Sequence, residues 1–116
     1  MDVEYSFAHV GLHCDDEAEC MAAVEKFRDA FGFPSRDVGN SVIVAGPMEL
    51  TKMPVRGTAG HIAVACSDMA EAVRELQAKG FAIDETTLQQ TPDRQIQSVY
   101  LQDTFGGFAC HLIQKR

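Results

Sequence analysis

The stretch AHVGLHCDD at residues 8–16 returns in altered form as GHIAVACSD at residues 60–68, so the chain is constrained to fold as two copies of one unit. Both stretches place a histidine second, alternate apolar residues after it, and run through an acidic end into a helix. In the first copy Asp16 offers an N-cap with Glu19 three residues on. Cys20, Ala23, Val24, Phe27, Ala30 and Phe31 then recur at helical spacing before Gly32 and Pro34 stop the helix. In the second, Ser67 or Asp68 is the cap, Met69, Ala72, Val73 and Leu76 are the stripe, and Gly80 is the stop. Strand-like runs follow each helix. They are SVIVAG and MELTKM in the first copy, after a weak strand at 36–38, and FAID, IQSVYLQD and GFACHLIQ in the second. The polar TLQQTPDRQ reads as an added loop. Each copy therefore has the order strand, helix, strand, strand, strand. The expected fold is α+β: one domain over 1–116, built of βαβββ modules at 1–54 and 60–116 with a joint at 55–59.

A length of 116 residues is one domain's worth and 46% hydrophobic residues can supply its core, so a second independent domain is not expected. The net charge of −7, with Lys and Arg scattered, repels a phosphate backbone and sets nucleic acid aside as a partner. No apolar run approaches the ~20 residues that span a bilayer, and Met1-Asp2-Val3-Glu4 has no basic leader. A soluble cytoplasmic protein without a membrane partner is the expectation. Cys14, Cys20, Cys66 and Cys110 form no CxxC pair and lie in apolar segments, which reads as buried reduced thiols.

Polar residues inside apolar strands are costly to bury without partners, and the repeat multiplies them. His9 and His61 occupy equivalent strands, and the closing strands match as well, MELT carrying Glu49 where CHLI carries His111. A lone strand histidine is more often a hydrogen-bonded core residue, but three of the four histidines fall at repeat-equivalent positions. If the copies pair about a pseudo-twofold axis, His9, Glu49, His61 and His111 converge as ligands for a divalent metal, Zn, Ni, Fe or Mn. His13 is ~13 Å along the strand from His9, too far to share an ion, and on the same face it is a candidate substrate contact. Lys52, Arg56 and Arg94 are candidate attractors of an anionic substrate, against the alternative that they are solvated surface cations.

HVGLHCDD and GHIAVACSD with their helices, MELT, and the glycine-led GGFACHLIQ together resemble the vicinal oxygen chelate superfamily, which includes glyoxalase I, methylmalonyl-CoA epimerase, extradiol dioxygenases and bleomycin-type resistance proteins. The resemblance implies the glyoxalase/bleomycin resistance/dioxygenase fold, paired βαβββ modules with curled mixed sheets around a metal cavity. It covers nearly the whole chain. On the glyoxalase I pattern His9, Glu49 and His61 match in kind, while His111 stands where the family most often has glutamate. Matching QDTFGG without a gap aligns Cys110 instead, which would turn His111 away from the cavity; a one-residue insertion restores the match of Glu49-Leu50 with His111-Leu112. The GGFA-x-HL ending also resembles a small domain appended to some bacterial 2-keto-3-deoxy-6-phosphogluconate aldolases. What the superfamily implies is a metal-dependent isomerase or lyase that stabilises an enediolate on a small vicinal-oxygen substrate, such as a 2-oxo acid or 2-oxoaldehyde adduct. Glu49 would be ligand and base at once. The alternatives are a non-catalytic ligand-binding or resistance-type module and a non-haem iron dioxygenase. Open strand edges on short modules point to a homodimer.

Overall fold

A computed structural model describes residues 3–115; the amino-terminal Met1 and Asp2 and the last residue, Arg116, lie outside the described residues. Two helices and eight strands follow in the order β1 (Tyr5–Leu12), α1 (Glu17–Phe31), β2 (Ser35–Asp37), β3 (Ser41–Val44), β4 (Met48–Thr51), β5 (Gly60–Cys66), α2 (Met69–Ala78), β6 (Ile83–Gln90), β7 (Ile96–Phe105) and β8 (Phe108–Gln114). The expected α+β class and the βαβββ order of each half are found. The strands form one mixed sheet in the order β2-β3-β4-β1-β5-β8-β7-β6, symmetric about the β1–β5 seam. β1 pairs parallel with β4, β5 pairs parallel with β8, and the two first strands pair antiparallel with each other. The inner edges of the modules thus meet within one chain. The open-edge argument for a second chain does not apply to them.

Both helices start where the sequence signals. The Asp16 carboxylate accepts from Glu19 N at 2.8 Å, and Glu19 Oε2 accepts from Asp15 N at 3.2 Å. Of the two candidate caps for α2, Asp68 takes the role, accepting from Glu71 N at 3.2 Å, while Ser67 Oγ accepts from Glu4 N at 2.9 Å. Each helix packs on the strands of its own half: α1 on β3 and β4, α2 on β7 and β8. Cys20 and Val24 of α1 close over Val42, Val44 and Leu50, whereas Met69 and Ala72 of α2 close over Val99, Leu101 and Leu112. Fully buried Leu50, Val42 and Val44 each contribute about 1.5–3 kcal/mol by leaving water.

Two expectations fail locally. Ala30 and Phe31, placed in the apolar stripe, are exposed in the last turn of α1, Phe31 by 65% where it lies against Phe33. The stretch 87–95 is no free loop: 87–90 complete β6, and Thr91 N bonds Gln95 O to turn the chain into β7. It is polar because β6 is the outermost strand. Its pairing with β7 is irregular between Asp84 and Gln89, where Thr87 Oγ1 accepts from Tyr100 N at 2.9 Å in place of a ladder bond. The four cysteines are buried and unpaired, as the sequence suggests, and burial pushes the Cys14 and Cys66 thiols up to about 11. Among the described residues no helix is long and apolar enough to cross a membrane.

Candidate metal centre

Alternation along the strands sorts the side chains onto two faces, one under the helices and one lining a cavity of about 550 Å³. Val42, Val44, Leu50, Leu101, Cys110 and Leu112 take the helix face. Between them in sequence, Ser41, Glu49, Thr51, Tyr100 and His111 line the cavity, together with His9 and His61. His111 therefore faces the cavity and Cys110 faces away, the arrangement that the inserted register requires.

His9 reaches the cavity through a bulge. Phe7 lies opposite Val64 and His9 lies opposite Ala63, so β1 spends two residues where β5 spends one. Without that extra residue His9 would follow Phe7 onto the helix face. His61 needs room of another kind. Its partner across the seam is Gly11, where a Cβ would stand 2.1 Å from His61 Cε1 and 2.3 Å from Nδ1, so the imidazole occupies the space that a side chain would fill. Gly11→Ala should displace the ring and weaken metal binding at least about tenfold, the scale on which the surroundings of a ligand act. Metal titration of the folded variant checks this; wild-type affinity would mean that the ring has somewhere else to go.

Three donor atoms converge. His9 Nε2 and His61 Nε2 are 3.3 Å apart, and Glu49 Oε1 is 3.3 Å from His61 Nε2 and 3.8 Å from His9 Nε2. Donors about 2.1 Å from a shared ion at tetrahedral or octahedral angles stand about 3.0–3.4 Å apart, so the triangle has nearly the size that a divalent cation needs. The electrostatics agree. Hydrogen bonding from His61 holds the Glu49 carboxyl below its ordinary range, with Ser41 Oγ donating to Oε2 at 3.1 Å, and burial pushes His9 down. An ionised carboxylate and neutral imidazole form a suitable donor set. His61 is only 5% exposed, and among the described residues its Nδ1 has no hydrogen-bond partner. The residues present fit a divalent metal.

His111 lies beside this cluster rather than in it. Its ring centroid is 6.1 Å from that of His61, and the group of donor atoms within 4.8 Å of one another comprises His9, Glu49 and His61. Burial, then the neighbouring His61 and His9, push His111 down to about 4 from 6.5. The unfolded chain then binds a proton that the folded chain refuses, so this contribution is complete above about pH 6.5 and is lost as pH falls through about 4. In metal-free protein, His111→Gln should flatten part of the fall in melting temperature between pH 7 and 4; an identical slope would contradict it. His13 is placed differently from its expectation. β1 stops at Leu12, the alternation stops with it, and His13 Nε2 meets Asp15 Oδ1 at 2.9 Å instead of lining the cavity.

Two of the three candidate cations are paired with carboxylates. Lys52 pairs with Asp37 and Glu17 at 2.9 and 3.3 Å, Arg56 pairs with Asp84 at 2.6 Å, and Arg94 sits in the β6–β7 turn. Tyr100 was not singled out from sequence; its signal was a polar aromatic between the two helix-face residues Val99 and Leu101.

No protein-family profile matches the chain, and no curated protein matches it. Solved structures do. Methylmalonyl-CoA epimerase from Mycobacterium tuberculosis is similar with a TM-score of 0.63 at 17% identity, over 95% of this chain and 87% of that one. A single-residue variant of the Streptomyces coelicolor methylmalonyl-CoA epimerase, in complex with 2-nitronate-propionyl-CoA, gives 0.61 at 18% identity over 95% and 94%. A hypothetical protein from Bacillus halodurans gives 0.66 at 14% identity over 97% and 96%.

Proposed function

From the vicinal oxygen chelate fold that this chain has, we propose a metal-dependent isomerase or lyase acting on a small substrate with two adjacent oxygens, a 2-oxo acid or 2-oxoaldehyde adduct among them. The observation that carries this reading is the convergence of His9, Glu49 and His61 within 4.8 Å on the cavity wall, with His111 beside them. A divalent ion held by these residues would supply Lewis-acid stabilisation of negative charge on substrate oxygen. The remaining work would fall to the chain's own residues. His9 and His61 would hold the ion, and Glu49, with Ser41 Oγ donating to its Oε2, is the carboxylate that would take a proton from the carbon next to the carbonyl. Epimerases of the same fold support an isomerase at this coarse level. Among the described residues no Lys or Arg lines the cavity, so a polyphosphate substrate gains no ion pair inside it, which favours a small molecule. Exchange of the substrate's labile hydrogen with deuterated solvent tests the reading.

Oxygen activation is the runner-up, because the cluster of two histidines and one carboxylate is also the donor set of non-haem iron oxygenases. Iron in the purified protein with substrate-dependent oxygen uptake would favour it.

The reading includes a homodimer. The radius of gyration is 15.3 Å, against about 13 Å for a compact chain of this length. The sheet's helix face exposes Phe7 by 61% and Tyr5 by 38% beside an apolar groove of about 460 Å³ between α2 and the seam. Light scattering should give twice the chain mass at micromolar concentration; the mass of one chain would refute the dimer.

A further inference from the structure

The triad leaves one feature of the cavity unexplained, the way in which His111 is held. Its pairing neighbour on β5 is Ala63, too small to fix an imidazole, and the His61 ring on that strand stands edge-on with centroids 6.1 Å apart. On the β7 side the ring lies flat on Tyr100, with centroids 4.2 Å apart and planes within 5°. With one face of Tyr100 covered by His111, the Arg56 guanidinium lies over its other face, 5.2 Å from the centroid. Arg56 is fixed in turn. Its Nη2 is 2.6 Å from Asp84 Oδ2, while Asp84 Oδ1 accepts from the Thr86 hydroxyl at 2.6 Å and from Thr86 N at 3.1 Å. Asp84 is 8% exposed, so this end of the stack is set in the protein rather than in solvent. Four side chains from four segments, β6, the joint between the modules, β7 and β8, thus form one column that ends on His111.

A nitrogen donor serves a metal only along its lone pair, and a site loosened by tens of degrees loses affinity although every ligand is present. The geometry points to Tyr100, backed by Arg56 and Asp84, as a positioning residue that fixes the plane of the His111 imidazole at the edge of the triad, from where a slide of the ring within that plane makes it the fourth protein donor to a divalent cation. This rests on the metal reading of the preceding section. It adds that the fourth donor depends on residues that themselves bind no metal, one of them in the joint between the modules.

The test uses the full chain, metal-free and then titrated with cobalt(II), whose visible spectrum reports its donor set. In metal-free protein the His111 ring protons, identified by their absence in His111→Gln, should resonate upfield because of the Tyr100 ring current. Tyr100→Leu should abolish that shift, weaken cobalt binding about tenfold to a hundredfold, and change the visible spectrum. Tyr100→Phe, which keeps the ring face, should restore all three. Arg56→Met, which keeps the stem without the cation, should give a smaller change in the same direction, and it carries the test if Tyr100→Leu does not fold. Wild-type affinity and spectrum in Tyr100→Leu, or in Arg56→Met where that variant stands in, overturn the inference alone. A wild-type chain that takes up no cobalt overturns the metal reading and the inference with it.

Discussion

His61→Ala is expected to leave a folded chain that has lost most of its metal. His61 stands at the corner of the donor triangle, 3.3 Å from both His9 and Glu49, and it is the most buried of the three, so removing it leaves two donors with no replacement at that corner. Affinity should fall by more than about a hundredfold, beyond the 10–100-fold that outer-shell changes cost. At a metal concentration of about 100 times the wild-type dissociation constant, bound ion adds about 2.7 kcal/mol to stability, and the variant forgoes it. Without metal the two proteins should melt much closer together. His61→Ala also removes a buried Nδ1 that bonds nothing among the described residues, which offsets part of the packing that Ala gives up. Elemental analysis and melting with and without metal check both halves. Equal metal content in the two proteins would refute the assignment.

Glu49→Gln should slow exchange of the substrate's hydrogen with solvent deuterium by about 10²–10⁴-fold. The hydrogen bonds from His61 and Ser41 keep the Glu49 carboxyl ionised at neutral pH, and an amide of nearly the same shape cannot accept the proton. Metal content measured alongside separates loss of the base from loss of the ion. Exchange at the same rate in both proteins, or in neither, would end the proton-transfer reading and leave a non-catalytic binding module as the better account.

The sequence carried the architecture because the architecture is repeated. The two histidine strands, their capped helices and the closing strands MELT and CHLI each appear twice, and the local signals for cap, stripe and stop agree with one another. The site was legible to the extent that it follows strand parity. Glu49 between the helix-face residues Met48 and Leu50, and His111 between Cys110 and Leu112, had to face away from the core once those neighbours were inside. Asp84, Arg56 and Tyr100 were not legible together. They lie on β6, the joint and β7, and nothing in their spacing says that a guanidinium will sit over one face of the phenol and an imidazole over the other.

The sequence by itself determined two βαβββ units, their polar strand positions and the chemistry of those donors, since alternation and capping are local and need no knowledge of what packs where. The tertiary structure decided which donors meet. The antiparallel β1–β5 seam joined the halves within one chain, and the bulge at residues 7–9 turned His9 toward the cavity while leaving Phe7 on the opposite face. Both depend on the register between strands far apart in the chain. Register is fixed by the sum of packing on both faces of the sheet, a quantity that no single stretch of residues contains.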